Sequence, residues 1–453
     1  MRRPITIKHE MEKLASHSGL IHIGALLDAI NFRLRFNTIN GVHCVDPKIS
    51  HGDILASMIA LMSIGKPDYD AIEIFREKQE FFNKAIGNRA CPSSPTLRQR
   101  IDLIGNQADT LIKDAGVDLV RSCAPAISPI QTSAGDFLPL DMDVSPFDNS
   151  KTQKEGVSRT YKGTDGFAPI FAYLGTEGYL VNLEFREGKQ HCQKNTPEFI
   201  NDTLDYTRQI TDQPILMRLD SGNDSQDNFP DDSRKNVHFI IKRNLRRESV
   251  QKWVDLAKKS GKQQHCRSGK CVWIGKTLED INGNPLPYPI IFEVTERHTK
   301  KGQALLFPEY QIDTYWCSLA QLPPDEAIQL YHDHGTSEQF HSELKSDMGL
   351  ERLPSGHFST NSLILHLAML TYNMLRIIGQ ISIEESDPTK LPGIRRKKVA
   401  RRRIRTVMQD LMYMAGRMVT RSRYWYLSFG QLNPFSKLME RIYLRLNLLS
   451  ATK

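Results

Sequence analysis

Between residues 131 and 243, five short apolar runs and one amphipathic segment follow one another in an order that few folds can accommodate. "FLPLDMDV", "FAPIFAYLG" and "GYLVNLEFREG" read as three successive strands, "NTPEFINDTLDYTRQI" as a helix, and "QPILMRLDSG" and "NVHFIIKRN" as two further strands. With another helix following, this order predicts an α/β arrangement. Between the last strand and that helix, residues 244–322 carry strand-like pieces such as "YPIIFEVTER" and "YQIDTYWCSL" around the turn "INGNP". They predict a mainly β insertion.

The helix after the insertion opens at "LPPDEAIQLY", where Pro323 and Pro324 precede Asp325 and Glu326, a pattern that places anions near a positive helix start. Continued through "YHDHGTSEQFHSELKSDMG", an α-helix turning about 100° per residue would confine Tyr331, His334, Glu338, His341 and Lys345 to an arc of roughly 80°. Glu343 would stand about 140° from Glu338 around the axis, outside that face. A solvent-exposed charged helix stabilised by i,i+4 pairs explains the same pattern.

Two strand-borne acids extend the pattern. Asp141 and Asp143 in "LPLDMDVS" are two apart and so face one side of a strand, with Asp143 the better placed because Ser145 follows closely. Asp220 ends the apolar run "ILMRLDSG". Either acid alone reads equally well as a turn or capping residue. Together, Asp143, Asp220 and Glu338 would present three carboxylates from two strands and a helix. Such a set suits a pair of divalent cations about 3.5–4 Å apart in phosphoryl-transfer chemistry. His334 and Lys345 would then hold phosphate oxygens, and Tyr331 would orient the strand.

Residues 1–130 read as helices with capped ends: "SHGDILASMIALMSIG" has Ser50 and Asp53 at capping spacing and Gly65 as a stop, and "DAIEIFREKQEFFNKAIG" ends at Gly87. "CPSSPTLRQRIDLIG" supplies Ser94 as cap, Pro95 at the first helical position, and Arg98 and Arg100 on the opening turns. That is how a helix-turn-helix module presents side chains to a DNA groove, and also how a plain helical bundle is built.

Charge points the same way. The chain has 60 Lys plus Arg against 52 Asp plus Glu, a net +8, which mildly favours a polyanionic partner. The run "GIRRKKVARRRIR" contains Arg395, Arg396, Lys397, Lys398, Arg401, Arg402 and Arg403 and no acid, so it would attract phosphates in a salt-sensitive way. Nuclear targeting or simple solvation of the run is the other reading. Seven scattered cysteines do not form a disulfide framework, which favours a reducing compartment, and Cys266 with Cys271 lacks a second pair at zinc-ligand spacing. The N-terminal "MRRPITIKHEMEKLASHSG" lacks the apolar stretch of an export signal. "SLILHLAMLTYNMLRIIGQISI", interrupted by His366, Asn373 and Arg376, reads as a buried core helix, so no membrane partner is expected.

At these residues the chain resembles the DDE transposases of bacterial insertion sequences carrying the signature Tyr-x2-Arg-x3-Glu-x6-Lys, here Tyr331, His334, Glu338 and Lys345. The resemblance is to the thirteen-eighty-type branch and extends through "PSSPTLRQR", "LDMD", "EGYLVNLEFREG", "RLDSG" and "HGTSEQFHSELKSDMG". It implies a ribonuclease-H-like core over 131–243 and 323–385, interrupted by the β insertion at 244–322. An N-terminal helical DNA-binding domain over 1–130 and a basic helical C-terminus over 386–453 complete the expected layout. It further implies cut-and-paste transposition: Mg2+-dependent cleavage at terminal inverted repeats by two ions, Mn2+ able to substitute, and transfer of 3′-hydroxyl ends into target DNA. Asp143, Asp220 and Glu338 take the metal-ligand roles by motif position, and Tyr331 and Lys345 the DNA-end contacts. The partners would be double-stranded DNA and at least one further copy of the chain, in the cytoplasm of a bacterium and at the nucleoid when DNA-bound. His334 departs from the signature arginine, because an imidazole cannot make the bidentate guanidinium fork. Relatives that form hairpins stack a flipped base on an aromatic of the β insertion, which would be Trp316, or else Trp273, unless these are core residues. A catalytically inactive DNA-binding descendant and a stand-alone metal-dependent nuclease are the competing readings.

Overall fold

The apolar runs in the middle of the chain pair into one large mixed sheet. Its strands are β1 (Gly135–Val144), β2 (Ile170–Leu174), β3 (Tyr179–Glu184), β4 (Ile215–Leu219), β5 (Val237–Lys242), β6 (Lys262–Arg267), β7 (Lys270–Glu279), β8 (Pro285–Lys300) and β9 (Gln303–Cys317). They lie in the order β6-β7-β8-β9-β5-β4-β1-β2-β3, with the short strand Ile130–Thr132 also paired to β1. β4 runs parallel to both β1 and β5, and the other pairings are antiparallel. The computed structural model describes residues 5–7, 12–44, 47–77, 79–231, 233–267, 269–300, 303–386, 400–421, 424–430 and 432–451.

β4 is buried along its whole length, as its unbroken apolar texture requires of a central parallel strand covered on both faces. On one face Leu138, Leu140 and Met142 of β1 and Ile215, Met217 and Leu219 of β4 share an apolar cluster with helices α1 (Thr196–Ile210) and α2 (Val250–Ser260), through Phe199, Leu204 and Trp253. On the other, Leu216, Ile240 and Tyr315 pack with Ile328 and Leu330 of α3 (Pro324–His332). The period-2 alternation of strand side chains thus divides one run of residues between two cores. Residues 244–322 do supply β structure, but they extend the same sheet, because Tyr315–Cys317 of β9 pair with Ile240–Lys242 of β5.

The chain forms two compact units, residues 126–342 and residues 1–125 with 343–453. This differs from the expected layout, since residues 343–385 group with the N-terminal helices. Within that unit, Ser50 caps the His51–Ser63 helix by accepting from Asp53 N at 3.1 Å, and Gly65 follows at φ 67°. The cap of the Ser94–Ile104 helix is Ser93, one residue earlier than expected, with Pro95 inside the first turn. The expected single helix after Asp70 is broken into the 3-10 turn Tyr69–Ile72, the short helix Glu73–Arg76 and the helix Gln79–Ile86. Phe358–Glu384 forms one helix of 27 residues, long and apolar enough to cross a bilayer, and its most apolar stretch is wholly buried. It packs against the Asp109–Cys123 and His51–Ser63 helices.

One buried base in this unit makes a pH prediction. His22, on the Leu20–Ala29 helix, lies 3.2 Å from Met439 Sδ, and burial pushes its pKa from 6.5 down to about 3. The unfolded chain therefore takes a proton near pH 6.5 that the folded state refuses. The stability is fully present above pH 6.5 and is lost as pH falls toward 3, by about 1.4 kcal/mol per pH unit. Urea unfolding at pH 7 and 4.5 should show a smaller acid loss in His22→Leu than in the wild type, and an equal loss would place the acid sensitivity elsewhere.

Candidate active site

Asp141 and Asp143 flank Met142 on β1 and face away from the cluster that holds its side chain. Their fates differ. Asp141 pairs in register with Arg218 of β4, whose guanidinium donates to it bidentately, Nε to Oδ1 at 2.6 Å and Nη2 to Oδ2 at 2.8 Å. Arg218 also donates to the carbonyl of Leu330 at 2.7 Å, tying α3 to the sheet. His334 Nδ1 lies 3.1 Å from Asp141 Oδ1. Burial pushes the Asp141 carboxyl up, but Arg218 and His334 more than offset this and hold it below the usual range.

Asp143 and Asp220 lie close together. Met142 pairs with Leu219, so the next residues, Asp143 and Asp220, extend adjacent parallel strands at their C-terminal ends, where open α/β sheets place their ligands. Asp220 caps the 3-10 turn Ser221–Asn223, accepting on Oδ1 from Gly222 N at 3.1 Å and Asn223 Nδ2 at 2.8 Å. Burial, then the charge of Asp143, pushes its carboxyl up. Asp143 is also pushed up by burial, but the His341 contact at 3.3 Å on Oδ2 and the charges of His341 and His334 bring it below its usual value. Two neighbouring carboxylates thus differ in proton affinity, and a cation between them would relieve their repulsion.

The segment expected to be one helix is not continuous. After α3 come the 3-10 turn Asp333–Gly335, helix α4 (Thr336–Ser342) and the π turn Glu343–Asp347. Gly335 carries no side chain to favour regular α geometry, and changes of winding shift the phase of the residues that follow. Tyr331 remains beside the site, half-buried against Tyr315 at 4.8 Å and His334 at 5.9 Å, and burial and the charges of Asp220 and Asp143 push its hydroxyl up. Glu338 is exposed on α4, and its charge reaches the Tyr161 hydroxyl that Asp143 and Asp220 also influence. Among the described residues, no three His, Cys, Asp or Glu side chains converge at metal-ligand distance. The two aspartates are together, and Glu338 is not within ligand reach of both.

Other expected contacts are placed differently. His334 is buried against Asp141 and not presented to a phosphate. Trp316 is corrected from a base-stacking surface to a core residue: it is 5% exposed, its Nε1 donates to Asp224 at 3.0 Å, and Arg243 and Phe229 cover its ring. Trp273 is half-buried with Lys258 Nζ 5.5 Å from its ring centre. Lys345 lies in the π turn, within the other unit.

Arg98 is exposed over Tyr69, whereas Arg100 donates to Ile49 O at 3.1 Å and lies 3.0 Å from His51 Nδ1. Arg395, Arg396, Lys397 and Lys398 lie outside the described residues. The remaining members of that run are in ion pairs instead of standing as unpaired phosphate ligands: Arg401 with Glu343 at 3.3 Å, Arg402 with Asp410 at 3.0 Å, and Arg403 with Asp347 at 2.7 Å. Sequence reasoning gave no role to Arg218, His341 or Tyr161. Arg218 had left a signal, a lone cation inside an apolar strand two residues before Asp220.

Two aspartates close together at adjacent strand ends are one mark of a known family. A family profile described as transposase DDE domain, group 1, matches residues 1–451. The chain belongs to this DDE transposase family. No curated protein sequence matches it. A solved piggyBac transposase synaptic complex with hairpin DNA is similar over 88% of this chain and 80% of that one, at 10% identity and a TM-score of 0.41, too distant a likeness to carry an argument.

The donor chemistry of the DDE chain fits a hard divalent cation. Asp143 and Asp220 offer carboxylate oxygen, and both hydrogen bonds to Asp220 fall on Oδ1, leaving Oδ2 for a metal. Asp141 does not fit, because Arg218 occupies both of its oxygens.

Proposed function

We propose that this DDE-family chain is a cut-and-paste DNA transposase of a bacterial insertion sequence, acting as a dimer or higher oligomer on paired inverted-repeat ends and working in the cytoplasm at the nucleoid. The observation that carries this reading is the closeness of Asp143 and Asp220, each one residue past the last registered pair Met142–Leu219 of two adjacent parallel strands, in a chain matched almost end to end by the DDE profile. The order β3-β2-β1-β4-β5, antiparallel and then parallel, supports a ribonuclease-H-like core.

Asp143 and Asp220 would hold Mg2+, and Glu338 would add the third carboxylate on a shift of α4 toward the bound ions. Bound there, two divalent ions would polarise the attacking water or 3′-hydroxyl and stabilise the departing oxygen. The chain's own residues set the stage for this. Arg218 locks Asp141 and α3 against the sheet, so that Tyr331 would stand at the site's edge beside the DNA strand.

The test is a duplex carrying the inverted repeats that bracket the reading frame, incubated with the full chain and a target plasmid. Mg2+-dependent 3′-hydroxyl ends joined to the plasmid support a transposase. Cleavage without joining would support the stand-alone nuclease, and binding without cleavage in Mg2+ or Mn2+ the inactive DNA-binding descendant.

A further inference from the structure

α4 and the turn before it meet β1 through two histidines, each against one member of the Asp-Met-Asp pair. His334 stands against Asp141 and His341 against Asp143. The second contact belongs to a longer chain of groups. His341 is 5% exposed, its Nε2 lies 3.3 Å from Asp143 Oδ2, and its Nδ1 lies 3.1 Å from the hydroxyl of Tyr173. Tyr173 is 1% exposed and sits on β2 directly opposite Asp141, while Phe171, the next outward position on that face, is opposite Asp143. The imidazole is wedged between the rings of Phe171, at 5.3 Å, and Tyr173, at 5.4 Å. Phe340, its neighbour on α4, packs on Tyr173 at 4.9 Å. The ring is therefore held on two faces and at Nδ1, with Nε2 set 3.3 Å from Asp143 Oδ2.

We propose that His341 is a positioning residue for Asp143. Tyr173 donates its hydroxyl proton to Nδ1 and so keeps the ring proton on Nε2, which faces Asp143 Oδ2. Contact at Oδ2 fixes the carboxylate's rotation and leaves Oδ1 to turn toward Asp220 and a shared cation. Residues that orient a metal-binding carboxylate in this way commonly govern affinity by about 10- to 100-fold. They do so without touching the ion.

The inference rests on the metal-binding reading of Asp143 and is tested by Mn2+ titration of the full chain followed by electron paramagnetic resonance, with no DNA or turnover needed. His341→Leu, which keeps an apolar side chain between Phe171 and Tyr173, should weaken Mn2+ binding by about 10- to 100-fold. His341→Gln, which restores an N–H toward Asp143, should recover most of that loss. Tyr173→Phe keeps the ring, removes only the hydroxyl, and should weaken binding by several-fold. It carries the test alone if His341→Leu does not fold. Wild-type Mn2+ affinity in both folded His341→Leu and Tyr173→Phe, where Asp143→Asn binds weakly, would overturn the positioning role. Wild-type affinity in Asp143→Asn itself would instead remove the metal-binding reading, and this inference with it.

Discussion

Asp143→Asn and Asp220→Asn should each reduce Mg2+-dependent cleavage at the element's ends by about 1000-fold or more while leaving end binding within a few-fold of wild type. Removing one charged oxygen ligand forfeits several kcal/mol of transition-state stabilisation, and about 4 kcal/mol corresponds to that factor. Both variants are near-isosteric, and Asn at position 220 keeps an oxygen for Gly222 N, so the fold should survive. Glu338→Gln should have a comparable effect if α4 delivers its carboxylate to the bound ion. Asp141→Ala is expected to behave differently. It strands the Arg218 guanidinium, whose side chain is 4% exposed, and breaking such a buried pair costs about 3–5 kcal/mol. Its signature should be lost folded protein, seen in a urea titration, and not a folded protein without cleavage. A stable Asp141→Ala variant that binds ends and fails to cut would exchange the roles of the two aspartates.

Glu343→Ala should be the most destabilising single change in the C-terminal half. Glu343 is 2% exposed and is paired with Arg376, itself 1% exposed, through Nη2. Tyr372 donates its hydroxyl to the same carboxylate at 3.4 Å, and Arg401 reaches Oε1 at 3.3 Å. Arg376 also donates to the carbonyl of Arg402 at 2.8 Å, so one buried cation ties the long apolar helix to the segment that follows. Removing the carboxylate leaves that cation without its counter-charge, at a cost of about 3–5 kcal/mol. The double change Glu343→Leu with Arg376→Met should recover much of the loss, because replacing a buried pair by apolar side chains is often close to neutral. Urea unfolding of the three proteins checks this, and a single variant within about 1 kcal/mol of wild type would show that the pair is not structural.

The sequence made the five strands of residues 131–243 and their succession along the chain legible because each is a short apolar run bounded by turn residues, whereas their order within the sheet had to come from the structure. It also marked Asp143 and Asp220 as strand-end acids, since period-2 alternation and chain position are local properties. Other features depend on what lies across the fold. No pattern in residues 331–345 reveals that His334 turns inward to Asp141, or that the helix tightens at Asp333–Gly335 and widens at Glu343–Asp347. Trp316 is apolar and strand-borne whether it faces a core or a DNA base, and only its bond to Asp224 and the stacking of Arg243 decide the matter. The basic run shows the same limit: a count of cations does not show that Asp347, Glu343 and Asp410 pair with three of them.

Metal-specific rescue distinguishes direct coordination of the metal ions by Asp143 and Asp220 from a purely structural role. Asp143→Cys and Asp220→Cys replace a hard oxygen ligand by a softer sulfur, which Mg2+ tolerates poorly and Mn2+ better. End cleavage by each variant is measured in Mg2+ and in Mn2+, normalised to wild type under the same ion. Cleavage should stand near background in Mg2+ and recover clearly, though partially, in Mn2+. Equal cleavage relative to wild type in the two metals, at a level well above background, would contradict direct coordination by that residue.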